Sequence, residues 1–166
     1  RQLAVRDGLT GLYNRRAFGE LLAASIANED RRPAGSLGLV ILDLDRQQEK
    51  GDALAKETGG VFAAADVTNE EQVIAAVEAA KELGPLRAVV NSAGIGWAAR
   101  TIGRDGTYES AHNLDLFRQV IEINLVGTLL VCKAAAAEMQ KNAPNADGER
   151  GAIVMTASVA AFDGQI

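Results

Sequence analysis

Short apolar runs recur along the chain, each closed by a polar or glycine-bearing stretch and separated from the next by a segment with helical periodicity. Residues 37–43 (LGLVILD), residues 61–65 ahead of Asp66, residues 86–91 and residues 152–155 are continuous rather than alternating. That pattern marks strands buried on both faces, as in a parallel sheet. Between them, Phe18, Leu21, Leu22 and Ile26 fall on one face of a helix that Asn14 can cap and that ends in the polar stretch 28–33. A weak helix is predicted over 47–56, stopped by Gly59-Gly60. Thr68 with Glu71 reads as a capping box, and Val73, Ile74, Val77 and Ala80 line one face of the helix that follows, ended by Gly84. Residues 114–139 give a long helical pattern, apolar over much of its circumference. Strand alternating with helix at this rhythm predicts βαβ units and a parallel sheet.

The run 86–91 is the one the rest is organised around. It enters through Gly84-Pro85 and leaves through Asn91-Ser92-Ala93-Gly94. In open α/β sheets ligands sit just beyond the carboxyl ends of the strands, where small residues let them approach the backbone. A tight turn between a core strand and a loop accounts for the tetrapeptide equally well. The polar, glycine-containing stretch 98–113 is long enough to be a functional loop, and with Trp97 beside it is where substrate contacts are expected. Residues 142–151 read as a polar loop.

Composition narrows the function classes. At 166 residues the chain has room for one domain with a core. A net charge of -5 offers no basic surface for nucleic acid or an anionic membrane. A single cysteine, Cys132, and a single histidine, His112, argue against a disulfide framework or a His/Cys metal centre. The apolar runs read as too short for a membrane span and the start is not a signal peptide, so a cytoplasmic chain is expected.

Several motifs then stand in order on matching elements: Asp43 at a strand end, Asp66-Val67, Asn91-Ser92-Ala93-Gly94, Asn124 within IEINLVGT, and TASVAAFDGQI at the end. From about Leu39 onward the sequence resembles the short-chain dehydrogenase/reductase family, nearest its type 2 3-hydroxyacyl-CoA dehydrogenase branch. The resemblance implies an α/β Rossmann-like three-layer fold with a mostly parallel sheet, here truncated at the C-terminus. It implies NAD as cofactor, an acyl-CoA-like small-molecule substrate and a homo-oligomer, with no metal ligands.

Residue by residue, the resemblance places Asp43, followed by Leu44, at the adenosine ribose, where a carboxylate repels a 2′-phosphate and favours NAD over NADP. Asp43 can equally be a helix cap or a solvated strand-end acid. Asp66 and Val67 would flank the adenine, although an acid there commonly caps a turn or helix. Ser92, Ala93 and Gly94 would let the cofactor lie on bare backbone, next to Asn91. Asn124 is polar inside an apolar helix and needs a partner. The matching family residue bends its helix and holds a water of the proton relay, while a core Asn bonded to a neighbouring carbonyl is the plainer alternative. Ser158 would hydrogen-bond the reacting substrate oxygen.

Two parts of the family pattern are not reproduced. The family's proton donor is a Tyr with a Lys four residues on, the Lys lowering the phenol pKa. Here Tyr13 and Tyr108 are followed at that spacing by Ala17 and His112. No dehydrogenase turnover is therefore expected of these residues alone. The family's Gly-rich pyrophosphate turn is also missing upstream of Asp43. Instead Asp7-Gly8-Leu9-Thr10-Gly11-Leu12-Tyr13-Asn14-Arg15-Arg16-Ala17-Phe18 resembles the opening of GGDEF diguanylate cyclase domains, and Leu42-Asp43-Leu44-Asp45 continues the likeness. In that reading Asp43 is a Mg²⁺ ligand, but the Gly-Gly-Asp/Glu-Glu-Phe signature is absent and the metal site incomplete. The chain thus reads as one α/β domain over 1–166, a chimera of a GGDEF-like segment (1–36) and a partial dehydrogenase domain (37–166). The family's first strand lies between its second and fourth. A failed substitute there leaves the sheet with a hole, repaired by slippage or dependent on a partner chain.

Overall fold

The run at the centre of the sequence becomes the middle strand of a parallel sheet in the computed structural model of the chain, which describes residues 39–42, 51–52, 55–56, 60–97 and 99–158. These residues lie in one unit, Gly38–Ile166. Its strands are β1 (Leu39–Leu42), β2 (Ala88–Asn91) and β3 (Ala152–Met155), in that spatial order, each pair parallel. The register sets Leu42 opposite Asn91 and Asn91 opposite Met155, so the three carboxyl ends are level. Backbone bonds from Ala152 N–H to the Arg87 carbonyl (2.8 Å) and from Thr156 N–H to the Asn91 carbonyl (2.9 Å) extend the β2–β3 ladder at both ends.

Helix α1 (Glu70–Lys81) precedes β2, and a continuous helical run, Leu114–Met139, connects β2 to β3. That run is α2 (Leu114–Ile121), a π-helical segment (Glu122–Gly127) and α3 (Thr128–Met139). Alternation along β2 buries Val89 and Asn91 toward the helices, where Val89, Leu86 and Val67 meet Val73, Ala76, Val77 and Ala80 of α1 and Val131, Ala135 and Met139 of α3. Each fully buried Val or Leu contributes about 1.5–3 kcal/mol. Among the described residues these two helices cover the same face of the sheet. The helix expected over 14–28 lies outside the described residues, as do the first-strand candidate and Asp43 with Leu44.

Four expectations change. The first concerns the start of α1, where Asn69, not Thr68, is the cap. Its extended backbone lets its side chain accept from Gln72 N–H (3.0 Å), while the Thr68 hydroxyl donates to Asp66 Oδ1 (2.7 Å). The second is residues 61–65, which are not a strand. Ala63 and Ala65 pack on the core while Val61 is 59% exposed, and an alanine-rich run has little intrinsic strand preference to hold a ladder. The third is the length of the apolar helix. Leu114–Met139 is long and apolar enough, by length and composition, to cross a membrane. Its last part, Thr128–Met139, packs on α1 and the sheet, with Lys133 paired to Glu70 and Glu138 to Lys81.

The fourth is the sheet itself. β1 pairs directly with β2, with no strand between them, so the position that the resemblance gives to a first strand is closed by direct pairing.

At the amino edge of the sheet the loop 142–151 is tied rather than loose. Arg87 Nη1 donates to the Ala143 carbonyl (2.8 Å), Asn142 Nδ2 to the Leu86 carbonyl (2.7 Å), and the Arg150 guanidinium to the Asn142 carbonyl. Gly84, between α1 and β2, has φ 147, a backbone that an L side chain rarely adopts.

Candidate functional site

Asn91 is the last residue of β2 and is only 4% exposed, so its amide must find partners inside. Its Nδ2 donates to Thr128 Oγ1 (2.9 Å), and its Oδ1 accepts from Ala93 N–H (3.3 Å), folding the chain back over the strand end. Ser92 and Gly94 are exposed and Ala93 half-buried, which leaves a stretch of near-bare backbone at the carboxyl edge. A Cβ on Gly94 would stand 3.3 Å from Asn124 Oδ1, so glycine lets the loop approach the helix closely.

Asn124 holds the other end of this loop. The Ile95 N–H donates to its Oδ1 and its Nδ2 donates to the Ile95 carbonyl, both at 2.8 Å. The polar residue in the apolar helix therefore finds its partner in the backbone of the β2 loop. It does so from within the π-helical segment, a local departure from the α ladder of the kind found at functional sites.

Val67 and Asp66 join the same edge through Gly127. A Cβ on Gly127 would lie 2.8 Å from Val67 Cγ2 and 3.3 Å from the Val67 carbonyl, so the helix backbone rests against this residue. Val67 is fully buried as a whole residue. Asp66 Oδ1 accepts from both the N–H (3.0 Å) and the hydroxyl (2.7 Å) of Thr68, and its own N–H donates to Gln72 Oε1 (2.8 Å). The acid thus shapes the turn before α1. Past β3, Thr156 N–H still bonds to the Asn91 carbonyl, and Ser158, two residues further on, is exposed.

The structure therefore gathers Asp66, Val67, Asn91–Gly94 and Asn124 around the carboxyl end of β2, with Ser158 on the neighbouring strand's exit. Asp43 and Leu44 lie outside the described residues. Gly127 and Thr128, which make the gathering possible, were not singled out in the sequence. A glycine inside an apolar helical pattern was the signal, because it costs helix stability unless something packs against the bare backbone.

The stretch 99–113 closes on itself. His112 N–H donates to the Thr101 carbonyl (3.2 Å), the His112 ring meets Phe117 edge-on at 5.9 Å, and Asn113 caps α2. Gly106 turns at φ 71. Hydrogen bonds from the Ser110 side chain and from Thr107 N–H hold the Asp105 carboxyl below its ordinary pKa. Trp97 is 56% and Tyr108 87% exposed.

The short chain dehydrogenase family matches residues 26–166, starting upstream of Leu39. The 3-hydroxyacyl-CoA dehydrogenase type-2 of Drosophila melanogaster is 46% identical over 132 residues, covering 78% of this chain and 51% of that protein. The Bos taurus protein of the same name is 40% identical over 162 residues, covering 96% and 59%. The crystal structure of 3-hydroxyacyl-CoA dehydrogenase type-2 from Mycobacterium avium superposes with a TM-score of 0.68 at 42% identity, covering 76% of this chain and 49% of that one. The chain thus spans about half the length of the curated relatives it matches.

Proposed function

The chain belongs to the short-chain dehydrogenase family, and on that premise we propose that it is the NAD-binding part of an oxidoreductase acting on 3-hydroxyacyl-CoA substrates. The observation that carries the reading is the gathering of Asp66, Val67, Asn91–Gly94 and Asn124 at the carboxyl edge of a parallel sheet, where nucleotides bind in such folds.

The residues present fit a dinucleotide. Small side chains from Ser92 to Gly94 leave the backbone open to a flat ligand, and Asn124 fixes that backbone from behind. Asp43 is assigned to the ribose hydroxyls and selects NAD by repelling a 2′-phosphate. When bound, NAD supplies the nicotinamide ring that accepts or returns a hydride. Ser158 is assigned to the substrate oxygen, donating a hydrogen bond that polarises it. Asn124 keeps the β2 loop at one distance from the helix. The 166 residues hold no Tyr with a Lys four positions on, so turnover requires that pair from an added segment. Association into a homo-oligomer is part of the same proposal, tested by sedimentation velocity.

A second reading is favoured by the direct pairing of β1 with β2. With no strand between them, the chain is a non-catalytic nucleotide-binding module or chimeric scaffold with a cyclase-like start. GTP turnover with Mg²⁺ would move the assignment toward the cyclase likeness.

Titration calorimetry of NAD into the chain, with Asp43→Ala as control, tests the first reading. Saturable binding that disappears in the control is expected. A folded chain that takes up no NAD sinks it in favour of the second.

A further inference from the structure

At the end of the π-helical segment a side-chain hydroxyl bonds to a backbone carbonyl of the site. In a regular α-helix the Asn124 carbonyl would accept from the N–H of Thr128, four residues on. Here that N–H goes to the Leu125 carbonyl instead. The Thr128 hydroxyl takes its place, donating to the Asn124 carbonyl at 2.7 Å. The same oxygen accepts from the buried Nδ2 of Asn91 at 2.9 Å. A hydroxyl has one proton and two lone pairs, so it can do both at once, whereas a methyl can do neither.

The bonds close into a ring. Thr128 holds Asn91 and the Asn124 backbone; the Asn124 side chain holds both backbone groups of Ile95; and Asn91 Oδ1 accepts from Ala93 within the same loop. Among the described residues, these hydrogen bonds join the end of β2 to the π segment through residues 91, 95, 124 and 128.

We infer that Thr128 is a positioning residue for the site: its hydroxyl joins Asn91 to the Asn124 carbonyl and so fixes the Ser92–Gly94 backbone against which a ligand would lie. It touches no ligand itself. Its removal strands a buried Asn91 N–H and frees the π segment to return toward α-helix, which draws Asn124 away from Ile95. The consequence for ligand binding rests on the NAD reading above; the consequence for the loop does not.

The test compares Thr128→Val, which keeps the shape and loses the hydroxyl, with Thr128→Ser, which keeps the hydroxyl. Amide hydrogen exchange reads the loop directly. In Thr128→Val the Ala93 and Ile95 amides are expected to exchange roughly tenfold faster, with Val77 and Ala135 of the helices unchanged, and Thr128→Ser is expected to match the parent. If Thr128→Val does not fold, Thr128→Ala against Thr128→Ser carries the same comparison. Loop amides that stay protected without the hydroxyl overturn the inference, as does acceleration spread evenly over α1 and α3. NAD titration forms the second arm, with affinity expected to fall about tenfold in Thr128→Val and to recover in Thr128→Ser. A parent chain that binds no NAD refutes the cofactor reading and leaves the exchange result to judge Thr128. A parent that binds NAD as tightly as Thr128→Val overturns the positioning role.

Discussion

Asp105 shows how much of this chain's local order is made by short-range polar contacts. Its carboxyl is held below the ordinary value first by the Ser110 hydrogen bond and then by the Thr107 N–H. A depressed carboxylate contributes stability above its unfolded pKa and loses it as the pH falls through the folded one. Ser110→Ala is therefore expected to raise the Asp105 pKa toward its usual range, read by NMR titration of the carboxyl carbon. It should loosen the loop 99–113 at neutral pH, the difference from the parent fading as the pH falls through the carboxylate range, where both proteins carry a protonated Asp105. Asn124 is the residue whose need for a partner the structure answers most directly. An amide in an apolar helix announces that it needs a partner, but the partner, Ile95, is 29 residues away and its backbone groups carry no sequence signal.

At the scale of the element, the helical run Leu114–Met139 was legible in its bounds and not in its interior. Periodicity finds a helix because buried positions repeat, and Asn113 caps it with bonds from Asp115 N–H (2.9 Å) and Leu116 N–H (3.0 Å). The π segment in its middle arises where Gly127 presses against Val67 and Thr128 exchanges its backbone donor for its hydroxyl, contacts that depend on other elements. Gly127→Ala tests the packing. A Cβ there stands 2.8 Å from Val67 Cγ2 in a filled core, so a loss of about 1–3 kcal/mol is expected from urea unfolding. An unchanged midpoint would mean that the helix can move off Val67 freely. The 61–65 run shows the converse limit. Five apolar residues satisfied the pattern of a buried strand, but half-buried alanines packed against a core read the same way in sequence.

For the whole molecule, one core under one face of the sheet carries the described fold. Leu86, Val67, Val73, Val89 and Val131 are its largest fully buried side chains, drawn from both helices, β2 and the turns beside them. Leu86→Ala is expected to cost about 2–5 kcal/mol in equilibrium unfolding, because the cavity sits where α1, α3 and β2 meet and cannot collapse from one side. Family membership places this core in a Rossmann-like fold, while the direct β1–β2 pairing closes the slot that the sequence likeness gave to another strand. A parallel ladder is specified by backbone groups that every residue carries, so which apolar strands become neighbours is decided by what else can pack.

By itself the sequence determined the α/β class, the parallel sheet, the identity of β2 and β3, the long helix and the family. Each of these follows from periodicity or from a motif contained in a short stretch. Only the tertiary structure decided which strands are neighbours, that Asn69 rather than Thr68 caps α1, that Asn124 clamps Ile95, and that Gly127 and Thr128 hold the candidate site together. Those outcomes depend on groups brought close from distant parts of the chain, mostly backbone donors and acceptors whose positions no local pattern encodes.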